Sequence, residues 1–223
     1  MDKTARNNGR SDRRERRKEE TRRLILETAM KLFEKKGVFA TTVEEITETA
    51  DIGKGTFFNY FSSKEAILSS LAENQLAVIR RAAENAQKAA SVQPILMEMC
   101  AELSANPGRS HLLLRSLLGT LISNPSLVQL LTSVLQEGRK QIATIIERGQ
   151  DIGEIRRDIS AAEIARCLQQ VAFGTNFIWS VSNSPDLTAW QARSMDLFWR
   201  GIAAQPEPIS PRASKKGATR HGS

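Results

Sequence analysis

The chain has 223 residues and little of what enzymes and exported proteins are usually built around. It holds only two cysteines, Cys100 and Cys167, far apart and each inside an apolar helical pattern. They read as free buried thiols of a reducing compartment, the alternative being a disulfide or a metal pair. There are two histidines, one of them in the tail. Metal-ligand spacing, a nucleophile elbow and a dinucleotide fingerprint are all missing, and the scattered carboxylates read as helix surface charge. The expectation is a non-enzyme with no metal and no cofactor. No apolar run approaches the roughly 18 residues of a membrane span. The N-terminus is polar and basic without an apolar h-region, so neither a secretory signal nor a membrane partner is expected. Strand-type alternation is absent throughout, as are repeats of 20–50 residues.

What remains is charge, helical period and one knot of aromatic residues. The net charge is +7. Residues 1–64 hold 15 Lys and Arg against 11 Asp and Glu, residues 65–204 hold 13 of each, and residues 205–223 hold 4 against 1. A basic N-terminal piece on a neutral body points to an anionic partner for that piece alone. Residues 1–20 read as a flexible basic arm and residues 205–223, with Pro206, Pro208 and Pro211, as a disordered tail.

Between these ends the pattern is all-α, with about nine helices. Leu24, Ile25, Thr28, Ala29, Leu32 and Phe33 form one stripe, and Gly37 closes that helix. Thr42-x-x-Glu45 is a capping box that opens a second helix, and Ser62-x-x-Glu65 and Ser160-x-x-Glu163 read the same way. The helix opened by Ser62 is expected to break before running on to about Ala90. Further helices are expected over 94–103, 112–122, 126–150, 160–182 and 186–203.

The aromatic knot lies in "GKGTFFNYFSSKE", residues 53–65, where four of twelve aromatic residues fall at 57, 58, 60 and 61. A phosphate loop is excluded, because no glycine lies five residues before Gly53 and a helix precedes it. On a helical wheel with Lys54 at zero, Phe57 and Phe61 fall at about 300° and 340°, with Gly55, Asn59 and Thr56 opposite at about 100°, 140° and 200°. Phe57 and Phe61 are thus the buried side, and the small hydrogen-bonding face is free to read a partner. Three residues, Asp51-Ile52-Gly53, separate this helix from the one before it, which is the helix-turn-helix layout. Asn59 can pair with adenine and Thr56 can bond a base or pack on a thymine methyl. Lys54 and Tyr60 suit phosphates.

The stretch "TRRLILETAMKLFEKKGVFATTVEEITETADIGKGTFFNYFSSKEAIL" resembles the DNA-binding domain of the TetR (tetracycline-repressor-like) family. The resemblance covers residues 21–68. It rests on the Ala29-x-x-Leu32-Phe33 to Gly37 helix end, the Thr-Thr-Val entry, the Lys-Gly-Thr core and the Tyr-Phe pair before Ser-Lys-Glu. It implies that Thr42 and Lys64 touch flanking phosphates, that Lys54, Gly55, Thr56 and Asn59 belong to the recognition helix, and that Tyr60 contacts a phosphate. Phe58 borders the same surface, and the arm, with Arg16 and Arg17, is expected to reach phosphates or the minor groove. Three positions depart from the family: Asp51 stands where Gly is usual, Gly53 where Ser is usual, and Phe58 where Tyr is common. Phe58 therefore lacks a hydroxyl for a phosphate.

For residues 69–204 the resemblance implies a ligand-binding and dimerisation domain. The homodimer is expected to form through helices 160–182 and 186–203, and Met97, His111, Arg115, Phe173, Asn176 and Phe177 are candidate pocket residues. Met97, Phe173 and Phe177 also fit simple core, His111 a cap or surface role, and Asn176 a dimer seam. The implied function is a cytoplasmic, DNA-binding transcription regulator, a repressor released from a palindromic operator by a small molecule. A non-specific architectural DNA binder, or a helical-bundle enzyme or carrier, is the alternative.

Overall fold

The structure is a computed structural model that describes residues 3–105 and 110–204, with side chains from Arg13 onward. The expected tail, 205–223, lies outside the described residues. Among the described residues there are nine helices and no strand, only an isolated bridge between Ile155 and Ala203. The helices are α1 (Lys3–Ala40), α2 (Val43–Thr49), α3 (Lys54–Phe58), α4 (Glu65–Ala86), α5 (Gln93–Ala105), α6 (His111–Ser123), α7 (Pro125–Asp151), α8 (Ala161–Ser180) and α9 (Leu187–Ile202). No single helix among them is long and apolar enough to cross a membrane. Only α6 and α7 taken together match by length and composition, and they are bent by 104°.

Local chemistry sets most helix starts. Asn124 accepts from the Ser126 and Leu127 N–H groups and Pro125 occupies the first helical turn of α7. Ser110, Ser160 and Asp186 cap α6, α8 and α9 in the same way. At the other end of α1, Gly37 takes φ 83° and ψ 166°, which only glycine adopts readily, and kinks the chain into Thr41. Its α-carbon faces Ser116 of α6, whose Oγ accepts from the Val38 N–H at 2.6 Å.

Three expectations need correction. The basic arm is helical from Lys3, continuous with α1. Its Arg, Lys and Glu residues are good helix formers and add i,i+4 pairs such as Arg16–Glu20 at 3.5 Å. The Ser62 capping box does not form. Instead the Ser63 Oγ accepts from the Ala66 N–H, and α4 runs unbroken to Ala86. Cys167 is exposed, whereas Cys100 is buried and its thiol pushed up to about 12 by burial; both are free.

Two main cores result. Ile25, Ala29, Phe33, Ile46, Phe57, Phe61, Ile67 and Leu68 bury the first, joined by Leu113 and Leu117 of α6 and Leu127 of α7. The second is larger and draws on α4, α5, α7, α8 and α9, with Ile145, Ile146, Ile164, Leu168 and Leu96 at its centre. α4 enters both, so the expected domain boundary at residue 68 falls inside a continuous helix. A small satellite cluster holds Leu114, Leu118, Trp179 and Leu187.

Candidate nucleic-acid interface

α2 begins with the predicted capping box. Thr42 Oγ1 accepts from the Glu45 N–H at 3.2 Å and Glu45 Oε2 accepts from the Thr42 N–H at 2.9 Å. The Lys36 ammonium also donates to Glu45, and this bond, with the Thr42 N–H, holds the carboxyl down to about 2. The depressed value means that the stabilisation by Glu45 is complete above the ordinary carboxylate range and is lost as pH falls through about 2.

The turn after α2 places Asp51 at φ 53°, the left-handed region, which aspartate tolerates better than most residues. Ile52, half-buried, packs under the turn against the first core. α3 then exposes the face read from the sequence. Phe57 and Phe61 are buried, Gly55 and Asn59 are exposed, and Thr56 and Tyr60 are half-buried. Asn59 caps the helix through its N–H and keeps helical φ and ψ, and the Phe61 N–H still donates to the Phe57 carbonyl at 2.9 Å. The helical phase therefore holds through Phe61.

Thr56, Asn59 and Tyr60 share an open groove of about 360 Å³ with Arg14, Arg17, Lys18 and Thr21 of α1. Arg17, one of the two arm residues expected to reach DNA, lines this groove. Arg16 is not in the lining and pairs with Glu20. Arg14, Lys18 and Thr21 were not singled out. Their signal was the 14, 17, 18, 21 spacing of one helix face, legible only once the arm is known to be helical.

Other expected contacts fare unequally. Lys64 is committed inside the protein, donating to the carbonyls of Val38, Phe39 and Thr41 at 2.9, 3.2 and 2.8 Å. All three donors of the ammonium are used, so it ties the end of α1 to the start of α4 instead of facing a phosphate. The Thr42 hydroxyl is likewise engaged with Glu45. Lys54 pairs with Glu44 of α2 at 2.7 Å, and that bond holds the Glu44 carboxyl below its ordinary range. Phe58 is 54% exposed and meets Phe57 edge-on at 5.4 Å.

Gly55 carries information of a different kind. A Cβ built on it would meet nothing within 4 Å. Packing inside the protein does not require glycine here, and glycine in a helix costs about 1 kcal/mol relative to alanine. Gly55→Ala is expected to raise stability by ~0.5–1 kcal/mol in chemical denaturation while weakening duplex binding in a gel shift. A variant that gained stability and bound DNA unchanged would show that nothing approaches this face closely.

In the second half of the chain the expected pocket residues do not converge. Phe173 and Phe177 are on the outside of α8, Arg115 is exposed, and Asn176 donates to the Ala172 carbonyl of its own helix. A helical stripe of apolar residues marks a covered face without saying what covers it. Met97 is partly buried against the larger core. His111 stacks on the buried Trp179, with ring centroids 3.9 Å apart.

A short capped helix, a four-residue turn and a second short helix with an exposed polar face, beside a cationic face of α1, define a helix-turn-helix protein of the all-helical class. The model of the bacterial regulatory proteins, tetR family, matches residues 25–71, the segment that holds α2, the turn and α3. An uncharacterized HTH-type transcriptional regulator of Bacillus subtilis, YuxN, is 52% identical over 52 residues, 23% of this chain and 18% of that protein. The match thus spans less than a fifth of that relative's length. Among solved structures, SmeT, the repressor of the Stenotrophomonas maltophilia multidrug efflux pump SmeDEF, superposes with a TM-score of 0.65 at 18% identity, covering 85% of this chain and 97% of SmeT. FadR of Bacillus subtilis, in complex with stearoyl-CoA, gives 0.63 at 22% identity, covering 80% and 98%. These likenesses establish the fold.

Proposed function

We propose that the chain is a sequence-specific DNA-binding transcription regulator, a repressor that grips a palindromic operator as a homodimer and is released by a small molecule. The observation that carries this reading is the face formed by exposed Gly55 and Asn59 and half-buried Thr56 at α3, backed by buried Phe57 and Phe61. Thr56 and Asn59 read base edges, while Lys54, Tyr60 and Arg17 position the backbone. Such a regulator acts in the bacterial cytoplasm.

Dimerisation is supported by α8 and α9, which leave Phe173, Phe177, Ile178, Val181 and Leu197 exposed on the neutral half of the chain. An apolar surface of this kind calls for a partner, and a second copy places two recognition helices on two half-sites. Ligand release is supported by the fold shared with SmeT, also solved as a complex with triclosan, and with FadR. His111 Nε2, Trp179 Nε1 and Gln191 Oε1 are buried with no hydrogen-bond partner among the described residues, and they are the polar atoms a ligand would satisfy. α4 and α6 each reach from the C-terminal helices into the first core. A ligand that binds one conformer better would therefore shift the reading heads by a coupling energy of ~1–3 kcal/mol.

Selection of bound sequences from random DNA, followed by a gel shift at near-physiological salt, tests this reading. A palindromic consensus bound well above random duplex is the expected result. Equal affinity for all duplexes would leave only non-specific binding.

A further inference from the structure

One face of α1 changes character at Thr21. On its C-terminal side, Ile25, Thr28, Ala29 and Phe33 are buried. On its N-terminal side the same face continues as Lys18, Arg17 and Arg14, all exposed, overhanging the groove that α3 borders. Among the described residues no carboxylate lines that groove.

The ion pairs of α1 sort by direction. Arg16 pairs with Glu20 at 3.5 Å, Arg22 with Glu19 and Glu73 at 3.9 and 4.0 Å, and Arg23 with Glu27 at 3.6 Å. Arg14, Arg17 and Lys18 form no ion pair among the described residues. Carboxylates are available in the same turns and serve the other faces. Like charges three and four residues apart on a helix repel, so this stripe weakens the free helix and is relieved by an external anion. Thr21 donates its hydroxyl proton to the Arg17 carbonyl at 2.9 Å, so it forms the groove's floor and has no donor left for an anion.

We propose that Arg14, Arg17 and Lys18 form a phosphate rail, a second DNA-binding element that grips the backbone strand bordering the groove read by Thr56 and Asn59. The inference rests on the DNA-binding reading and extends it: Arg14 and Lys18 join Arg17, and Arg16 drops out. From Arg14 to Lys18 the helix rises about 6 Å, against about 3.4 Å of axis per phosphate on one strand. The three cations therefore meet two or three neighbouring phosphates. They carry no base information, so the rail adds affinity and salt dependence without sequence preference.

The test compares the full-length chain with its R14Q/R17Q/K18Q variant on a short random-sequence duplex and on a selected operator, over a series of salt concentrations. Each neutralised phosphate contributes about 0.9 to the slope of log K against log salt. The expected result is a slope shallower by about 2–3 per bound protomer on both duplexes, with the operator-to-random affinity ratio unchanged. R14K/R17K should keep the wild-type slope and R16Q should leave it unaltered, with helix content by circular dichroism equal in all variants. An unchanged slope in the triple variant, while the wild type binds DNA, overturns the rail and leaves the DNA-binding reading standing. No duplex binding by the wild type at any salt overturns both.

Discussion

Phe57→Ala is expected to lower the unfolding free energy by ~3–5 kcal/mol, Phe61→Ala by nearly as much, and Phe58→Ala by less than about 0.5 kcal/mol. The three rings lie within five residues and differ in what surrounds them. Phe57 is fully buried in the first core, and Phe61 is 3% exposed. Their centroids are 5.9 Å apart, and the Arg22 guanidinium lies 5.7 Å from the Phe61 ring centre while donating to the Ser70 Oγ at 2.8 Å. Removing either ring leaves a void that α1, α2 and α4 cannot close without breaking their own helices, so transfer and cavity terms add. Phe58 loses only its edge contact with Phe57. Chemical denaturation at one fixed protomer concentration measures the series, because association would otherwise shift the midpoints. Equal losses for all three would mean that α3 does not present a dry face and a wet face.

The same contrast shows what the sequence could convey. α2, the turn and α3 were legible because their determinants are local. Thr42 and Glu45 are three residues apart, Asp51 stands where a left-handed turn is needed, and the phase of Phe57 and Phe61 follows from helical period alone. Lys64 was misread because its partners lie 23 to 26 residues away, at the end of α1, and a lysine's spacing does not reveal which carbonyls it reaches. The arm was misread for a compositional reason. Seven cations among Gly, Asn and Ser look solvated, yet Glu19 and Glu20 supply ion pairs to Arg22 and Arg16 within α1. Phe173 and Phe177 were ambiguous from the start, since a pocket, a core and a subunit seam all demand apolar residues at helical spacing. Only their position on the outside of α8 separates these readings.

Asn59→Ala should do the reverse of Phe57→Ala: stability within about 0.5 kcal/mol of wild type and a large loss of sequence discrimination. Asn59 is exposed at the end of α3, and its side chain makes no hydrogen bond among the described residues. Truncation therefore removes nothing the fold uses. Its N–H, which donates to the Gly55 and Thr56 carbonyls, is kept by alanine. On DNA, a bidentate side-chain pair with a base is worth ~1–3 kcal/mol of discrimination, and a palindrome bound by two protomers counts it twice, about 2–6 kcal/mol in all. Binding to random duplex should hardly change, because the phosphates are held by Arg17, Tyr60 and their neighbours, so operator affinity falls toward the non-specific level with an unaltered salt slope. A parallel loss on operator and random duplex would assign Asn59 to the backbone and leave base reading to Thr56 and the α3 backbone at Gly55.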